Sequence, residues 1–326
     1  HEALPEVDLD EVDLSVELLG WKLRAPVMIA AMTGGHEGAS ELNATLGRAA
    51  ERHGLAIGVG SQRAALQDPG LAHTYAAVRE SAPSAPVVAN VGAAQLIEQA
   101  GGRPPLGVDD ARAAVEMVRA DALAVHLNFL EESVQPEGDR RTRGCAEAIG
   151  RLAGGLEVPV IAKETGAGMT RTTAERLREL GVSALDVGGA GGTNFAIIER
   201  MRAERQGDQR GAQLGRALAE WGIPTAVSVA GATATGLPVI ATGGVRSGLD
   251  AAKAFALGAS VVGIARPLLS AAEEGDDVID AWIGRFLEEL RAVLMLSGCR
   301  RPTELRVRPR VISGRTRAWL DELGYA

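Results

Sequence analysis

Eight short apolar runs recur along the chain, and most of the segments between them carry apolar residues at helical spacing. The runs are Pro26–Met32, Leu55–Gly60, Pro86–Val91, Asp121–Val125, Val158–Glu164, Ala184–Gly188, Pro238–Gly243 and Ser260–Ala265. Each is short and lacks polar alternation, as strands buried on both faces do. The intervening helical stretches are Ala39–His53, Leu71–Glu80, Val108–Arg119, Thr142–Leu156, Thr170–Leu180, Phe195–Arg205 with more helix to Trp221, and a loop then helix over Gly244–Leu257. Strand and helix in strict alternation predict a parallel sheet, and eight units predict an α/β protein closed as a (β/α)₈ TIM barrel. No Gly-x-Gly-x-x-Gly follows the first run, which disfavours an open dinucleotide-binding sheet. No linker breaks the pattern, so residues 1–326 read as one domain. A lead-in over 1–25 includes a weakly alternating hairpin, Val16–Gly20 with Trp21–Arg24. A C-terminal helical closure over 276–326 includes the amphipathic Val278–Leu296, the arginine-rich Arg300–Arg317 and a last helix to Leu323. Thr172 or Thr173 is expected to cap the helix starting near Thr170, and Gln206–Arg210 reads as a polar, mobile segment.

Composition narrows the function. A chain of 326 residues, 46% of them hydrophobic, is sufficient for one large core. A net charge of −8 argues against a general polyanion-binding surface, and 3% aromatic residues argue against stacking platforms for single-stranded nucleic acid. Cys145 and Cys299 lie far apart, with neither zinc spacing nor a disulfide framework, which suits a reducing cytoplasm. No stretch is long and apolar enough to span a membrane, and no signal peptide is visible. The chain begins at His1 rather than methionine, and a further N-terminal segment is expected.

Barrel enzymes keep their chemistry just past the C-terminal ends of the strands. Three glycine-rich turns occupy such positions after the last three runs: Gly188–Thr193, Thr242–Gly248 and Gly263–Arg266. Glycine lets backbone N–H groups approach an anion, and a following helix N-terminus adds a favourable dipole. One such turn alone is ordinary βα geometry, whereas three adjacent ones point to a bound phosphate, from either a cofactor or a substrate. Lys163 ends the fifth run at the same mouth. It suits an anionic ring or a Schiff base, or else it is a surface lysine reaching for water. Asn90, at the end of the third run, either bonds a planar ring edge or satisfies backbone.

The fourth run opens onto Val125-His-Leu-Asn-Phe-Leu-Glu-Glu132, which sets an imidazole, a carboxamide and two carboxylates close together. His126 and Asn128 share one strand face, and both are candidate donors to oxyanions. Arg63, in Ser61-Gln-Arg63, is a planar fork suited to a diphosphate. Glu132 is a hard oxygen ligand suited to magnesium, which takes one or two carboxylates plus substrate phosphates. The competing reading of Arg63, His126 and Glu132 is an ion-pair cluster at the rim. His36, His53 and His73 read as surface or helix residues.

With these residues assembled, the chain resembles the FMN-dependent type II isopentenyl diphosphate isomerases. The matching segments are Met32-Thr-Gly-Gly35, Gly60-Ser-Gln-Arg63, His126-Leu-Asn128 with Glu132, Lys163-Glu164, Asp186 to Thr193, Gly243-Gly-Val-Arg246 and Ala256-Leu-Gly-Ala259, in the family's order across most of the chain. The glycine motifs are common to many flavin barrels. Gly-Ser-Gln-Arg combined with His-Leu-Asn is far more specific. The resemblance implies interconversion of isopentenyl and dimethylallyl diphosphate by a 1,3 proton shift, with FMN in its reduced form, NADPH or another reductant to reduce it, and Mg²⁺ on the diphosphate. It implies that Met32, Thr33, Ser61, Asn90, Lys163 and Thr193 hold the flavin, with Gly243, Gly244, Arg246, Ala265 and Arg266 near its phosphate. Arg63, Gln62, His126 and Asn128 would bind substrate, Glu132 the metal, and Glu131 and His126 would serve in catalysis. A cytoplasmic homo-oligomer, a tetramer or larger, is implied as well.

Three departures stand out. The family's usual glutamine is Glu131 here, and a carboxylate beside Glu132 must either hold a proton or draw the metal. The family's usual proline after His-Leu-Asn is Phe129. The family's basic N-terminal segment, which helps clamp the diphosphate, would precede His1. The alternatives are an FMN oxidoreductase on the same barrel, or a paralogue whose catalysis is altered at Glu131. Flavin oxidases of the hydroxy-acid type need a histidine after a late strand, and no histidine follows His126.

Overall fold

All eight apolar runs become strands of one closed parallel barrel. The structure is a computed structural model, and it describes residues 1–325. A two-stranded antiparallel hairpin, β1 (Val16–Leu18) and β2 (Trp21–Leu23), leads in. The barrel begins with β3 (Val27–Ile29), α1 (Ala39–His53), β4 (Ala56–Gly58), α2 (Arg63–Gln67), α3 (Ala72–Ser81) and β5 (Val87–Gly92). It continues through α4 (Val108–Met117), β6 (Ala122–Leu127), α5 (Phe129–Val134), α6 (Cys145–Gly155), β7 (Val160–Glu164), α7 (Arg171–Glu179) and β8 (Ala184–Asp186). Three helices follow β8: α8 (Phe195–Gln206), α9 (Gln209–Ala217) and α10 (Thr225–Thr233). Then come β9 (Val239–Thr242), α11 (Gly248–Ala256), β10 (Val261–Ile264), α12 (Arg266–Glu274), α13 (Asp276–Leu296) and α14 (Gly314–Glu322). Each strand from β3 to β10 pairs with the next, and β10 closes onto β3.

The helices missed by spacing have plain reasons. The segments α2 and α5 are shorter than two turns, too short to show a period. Thr225–Thr233 reads Thr-Ala-Val-Ser-Val-Ala-Gly-Ala-Thr and has no charged face, because α10 is packed between its neighbours. Two local expectations are corrected. Thr170, not Thr172 or Thr173, caps α7: its hydroxyl accepts from the Thr173 N–H, and only a residue outside the helix reaches that orphan donor. Gln206–Arg210 is a tight helical corner rather than a loose segment. Gly207 ends α8 at φ +73°, and Asp208 caps α9 by accepting from Gly211 N–H.

Alternation along the strands sorts the barrel interior into layers. The lower layer is apolar: Met28, Ala56, Val88, Ala122, Ala124, Ile161, Ala184, Ile240 and Val261 cluster with Leu18 and Leu23 of the hairpin. The hairpin therefore plugs the barrel floor, and each buried leucine contributes roughly 2 kcal/mol. Two residues further along each strand, the same inward face carries Ala30, Gly58, Asn90, His126, Lys163, Asp186, Thr242 and Gly263, so its polar side chains come from β5 to β9. A dry floor and a polar layer directly above it follow from one two-residue step.

Candidate active site

The polar layer is aligned by register. His126 on β6 lies opposite Gly92 on β5 and Lys163 on β7, and Lys163 lies opposite Asp186 on β8. Lys163 Nζ sits 3.0 Å from Asp186 Oδ2, with side chains 11% and 4% exposed. Lys163 is therefore an inward cation held by a buried partner, which excludes the water-seeking reading. Its neighbour Glu164 turns the other way and pins the following loop: its Oε2 accepts from the N–H groups of Gly166, Ala167 and Gly168. Burial pushes the Glu164 carboxyl up to about 7 against those three bonds.

The orientation of His126 follows from its neighbour. Asn90 Nδ2 donates to the Val59 carbonyl, so Asn90 Oδ1 faces His126 Nδ1 at 2.9 Å and can only accept. Nδ1 therefore carries the hydrogen, and Nε2 of the neutral ring keeps a lone pair. Burial, reinforced by Lys163 and Arg63, pushes the imidazole pKa down to about 4. His126 donates to an oxyanion through Nε2 only after taking up a proton. Asn90 thus satisfies backbone and fixes an imidazole. Gln62 departs from the expected substrate-binding role. It is fully buried, its Nε2 donates to Ala114 O at 2.8 Å, and its Oε1 accepts from Asn90 N–H at 2.9 Å. Both ends of its amide are used inside the wall, because the first turn of α2 points Arg63 outward and Gln62 inward.

The acid pair rides on α5, which follows β6 immediately. Asn128 Nδ2 donates to Glu131 Oε2 and to Glu132 Oε1, each at 3.1 Å. This changes the part expected of Asn128: both its hydrogens are taken by carboxylates, and its Oδ1 is buried without a partner. Asn128 therefore offers an acceptor, not a donor, at the mouth. Burial first, then the charges of Glu132 and Glu199, push the Glu131 carboxyl up to about 7, against the Asn128 bond. Glu132 is 5% exposed, and its Oε2 accepts from Asp139 N–H at 2.6 Å. Arg63 pairs with Asp139 at 3.1 Å, so the expected rim cluster of Arg63, His126 and Glu132 is replaced by one centred on Asp139. From α8, Arg202 pairs with Glu199 and with Glu137, and so ties a helix of the β8 excursion to the loop that follows the acid pair.

Opposite this wall, the glycine turns pack against one another. A Cβ on Gly192 would lie 2.7 Å from Gly244 N, and one on Gly244 would lie 2.1 Å from Gly191 O. Gly243 and Gly244 have φ of +116° and +82°. Arg246 Nη2 donates to Gly191 O and joins the two turns, and exposed Arg266 opens α12, whose N-terminus has no side-chain cap. Thr193 and Ala265 line the rim, half-buried. Across the mouth, Met32 and Thr33 are half-buried and Ser61 is exposed. Gly34 and Gly35 pack on buried Tyr75, whose hydroxyl donates to Ser61 O. The site fits a flavin phosphate in two respects: an uncapped helix N-terminus beside close-packed glycines, and an unpartnered buried hydroxyl, Thr242 Oγ1, within the polar layer. For a divalent cation, no cluster of three or more His, Cys, Asp or Glu exists among the described residues. The oxygens on this wall without a full set of partners are the buried Asn128 Oδ1 and Glu132 Oε2, which accepts one N–H, so a hard cation held here would need further oxygens from a ligand.

The FMN-dependent dehydrogenase family profile matches residues 107–312. The isopentenyl-diphosphate delta-isomerase of Methanoregula boonei is 48% identical over 324 residues, covering 99% of this chain and 88% of its own. The chain belongs to the FMN-dependent, type II isopentenyl-diphosphate delta-isomerase family. The Archaeoglobus fulgidus member of this family is 45% identical, covering 99% of this chain and 91% of its own. A mandelate oxidase structure carrying an FMN adduct superposes with a TM-score of 0.63 at 19% identity, covering 94% of this chain and 85% of that one, and bears on the fold alone.

Sequence reasoning did not single out Gln95, Asp139, Glu199, Arg202 or Tyr75 as parts of this site. Each lies in a loop or on a helix outside the strand-end motifs. For Asp139 one signal existed: Gln135-Pro-Glu-Gly-Asp139 is a turn sequence directly after the acid pair.

Proposed function

We propose that this protein interconverts isopentenyl diphosphate and dimethylallyl diphosphate by a 1,3 proton shift, with reduced FMN and with Mg²⁺ on the substrate diphosphate. The observation that supports this reading best is the grouping at one mouth of a part-exposed arginine, an acid pair with an unpartnered amide oxygen, and the buried Lys163–Asp186 pair. Arg63 binds the diphosphate through its fork, and His126 donates to it once Nε2 is protonated. Glu132 and Asn128 Oδ1 hold the cation. Lys163 offers positive charge at the polar layer, where Met32, Thr33, Ser61, Asn90 and Thr193 border the flavin. Gly243, Gly244, Arg246, Ala265 and Arg266 lie at its phosphate. When bound, reduced FMN supplies an electron-rich ring and acid–base chemistry at the substrate carbons with no net redox change. Burial raises the Glu131 carboxyl to about 7 in the metal-free protein, in the range useful to a catalytic acid near neutral pH. The apolar floor keeps water from below the polar layer, which favours a pocket where positive charge develops on an unactivated alkene.

A flavin oxidoreductase is the second reading, favoured by the dehydrogenase profile. The absence of histidine beyond His126 counts against it. NADPH or another reductant would supply the flavin's electrons. A cytoplasmic homo-oligomer acting on a small-molecule substrate is part of the same proposal; among the described residues no helix is long and apolar enough to cross a membrane. The test is an anaerobic reaction with FMN, reductant, Mg²⁺ and isopentenyl diphosphate in deuterated water, followed by NMR. Dimethylallyl diphosphate with deuterium at the exchanging carbons is the expected product. A flavin-loaded protein that forms none rejects this reading and favours a paralogue altered at Glu131.

A further inference from the structure

A continuous polar chain runs from Arg63 to the acid pair. Arg63 Nη1 pairs with Asp139 Oδ2 at 3.1 Å. Gln95 Nε2 donates to that same oxygen at 3.1 Å and to Glu132 Oε1 at 3.2 Å. Asn128 Nδ2 reaches the same Glu132 oxygen at 3.1 Å, and Asp139 N–H closes the loop on Glu132 Oε2. We propose that Asp139, bridged to Glu132 by Gln95, is the positioning residue that holds the Arg63 guanidinium for the substrate diphosphate and couples it to the metal-side carboxylate. The proposal rests on the isomerase reading for the identity of the diphosphate.

The chain is buried and built. Gln95, Asp139 and Glu132 are 9%, 7% and 5% exposed, so their bonds form away from competing water. Both amide hydrogens of Gln95 are spent on carboxylates, which keeps two like charges at a set separation. The backbone makes room for this at two glycines. A Cβ on Gly138 would lie 1.9 Å from Glu132 O, so the loop carrying Asp139 folds directly back onto α5. A Cβ on Gly92 would lie 1.8 Å from Gln95 Oε1. Arg63 itself is 26% exposed in its side chain, and its Asp139 contact is made through one nitrogen. The remaining donors of a five-donor fork stay available at the mouth. An unheld arginine loses rotamer freedom on binding, and a held one has already lost it. The carboxylate competes for the guanidinium charge, but it occupies one edge while the fork presents another.

The test is calorimetric binding of inorganic diphosphate, with Mg²⁺, to the FMN-loaded protein, flavin absorbance confirming loading of each variant. Asp139→Ala is expected to weaken binding about tenfold. Asp139→Asn is expected to weaken binding by less than the alanine, because the amide oxygen keeps the Gln95 bond while the charge facing Arg63 is lost. In an Arg63→Gln background the Asp139→Ala effect is expected to shrink below about twofold. An equal effect in both backgrounds, or no effect of Asp139→Ala on wild-type binding, overturns the proposal. If the alanine variant loads no FMN, Asp139→Glu, which moves the charge by one methylene, enters the same cycle with the same expectations. In turnover, Asp139→Ala is expected to raise KM with kcat little changed. Non-additive diphosphate binding in a protein that makes no dimethylallyl diphosphate supports the positioning role and rejects the isomerase reading.

Discussion

Replacing Glu131 by glutamine restores the residue usual in the family and removes one buried titration. In the folded protein the Glu131 carboxyl titrates at about 7, against 4.5 for the free group. Between those values the native state keeps a proton that the unfolded chain has lost, so stability falls as pH rises. The slope is about 1.4 kcal/mol per pH unit, or about 3 kcal/mol over the window, reduced to roughly 2 kcal/mol because the side chain keeps some contact with water. A glutamine amide at this position cannot titrate, and its oxygen retains the Asn128 bond. The Glu131→Gln variant and parent should therefore be close at pH 4.5, with the variant about 2 kcal/mol more stable at pH 8. For a chain of this length the unfolding entropy is about 0.7 kcal/mol/K, which converts the difference to about 3 °C in Tm. The assay is calorimetric melting of both proteins at pH 4.5 to 8, FMN-saturated, magnesium-free and at fixed ionic strength. Glu164 titrates in the same window but is common to both, so the difference isolates Glu131. A Tm difference that does not change with pH would refute the assignment of a protonated Glu131. If catalysis is impaired by Glu131, the same variant should also regain turnover.

Other outcomes follow from the same geometry. Asp186→Asn leaves Lys163 buried without its counter-charge and should cost about 3 kcal/mol in urea unfolding, with FMN affinity lowered; a loss under about 1 kcal/mol would show the pair to be dispensable. Gly138→Ala drives a methyl into the Glu132 carbonyl and should lower diphosphate affinity at least about tenfold while FMN still loads; wild-type affinity would show the loop to be yielding. His126 is neutral above about pH 4, so diphosphate binding should draw a proton onto Nε2 and weaken as pH rises. Calorimetry at pH 7 in two buffers of different ionisation enthalpy should show more proton uptake by the parent than by His126→Asn, and equal uptake would remove the imidazole from the diphosphate site.

Much of the architecture was legible in the amino-acid order, because a barrel strand buried on both faces must be apolar and its period is two. That period places Asn90, His126, Lys163 and Asp186 in one layer, each two residues above an apolar floor residue. The glycine turns were equally legible, since backbones that approach as Gly192 does Gly244 exclude any side chain. Helix α10 was not, because a segment apolar on every side has no period to detect.

What the order of residues could not decide is which atom of a polar group faces the mouth. Gln62 and Arg63 are neighbours, yet one is spent inside the wall and the other opens outward. Asn128 looked like a donor to phosphate, but two carboxylates one turn later claim its hydrogens and leave its oxygen bare. Asp139 reaches Arg63 across 76 residues, and Gln95 reaches it across 44. Hydrogen bonds are directional and each donor is spent once, so partner choice is a property of the assembled site. Sequence determined the barrel, its dry floor and the layer where chemistry gathers; tertiary packing decided which groups there remain free to act.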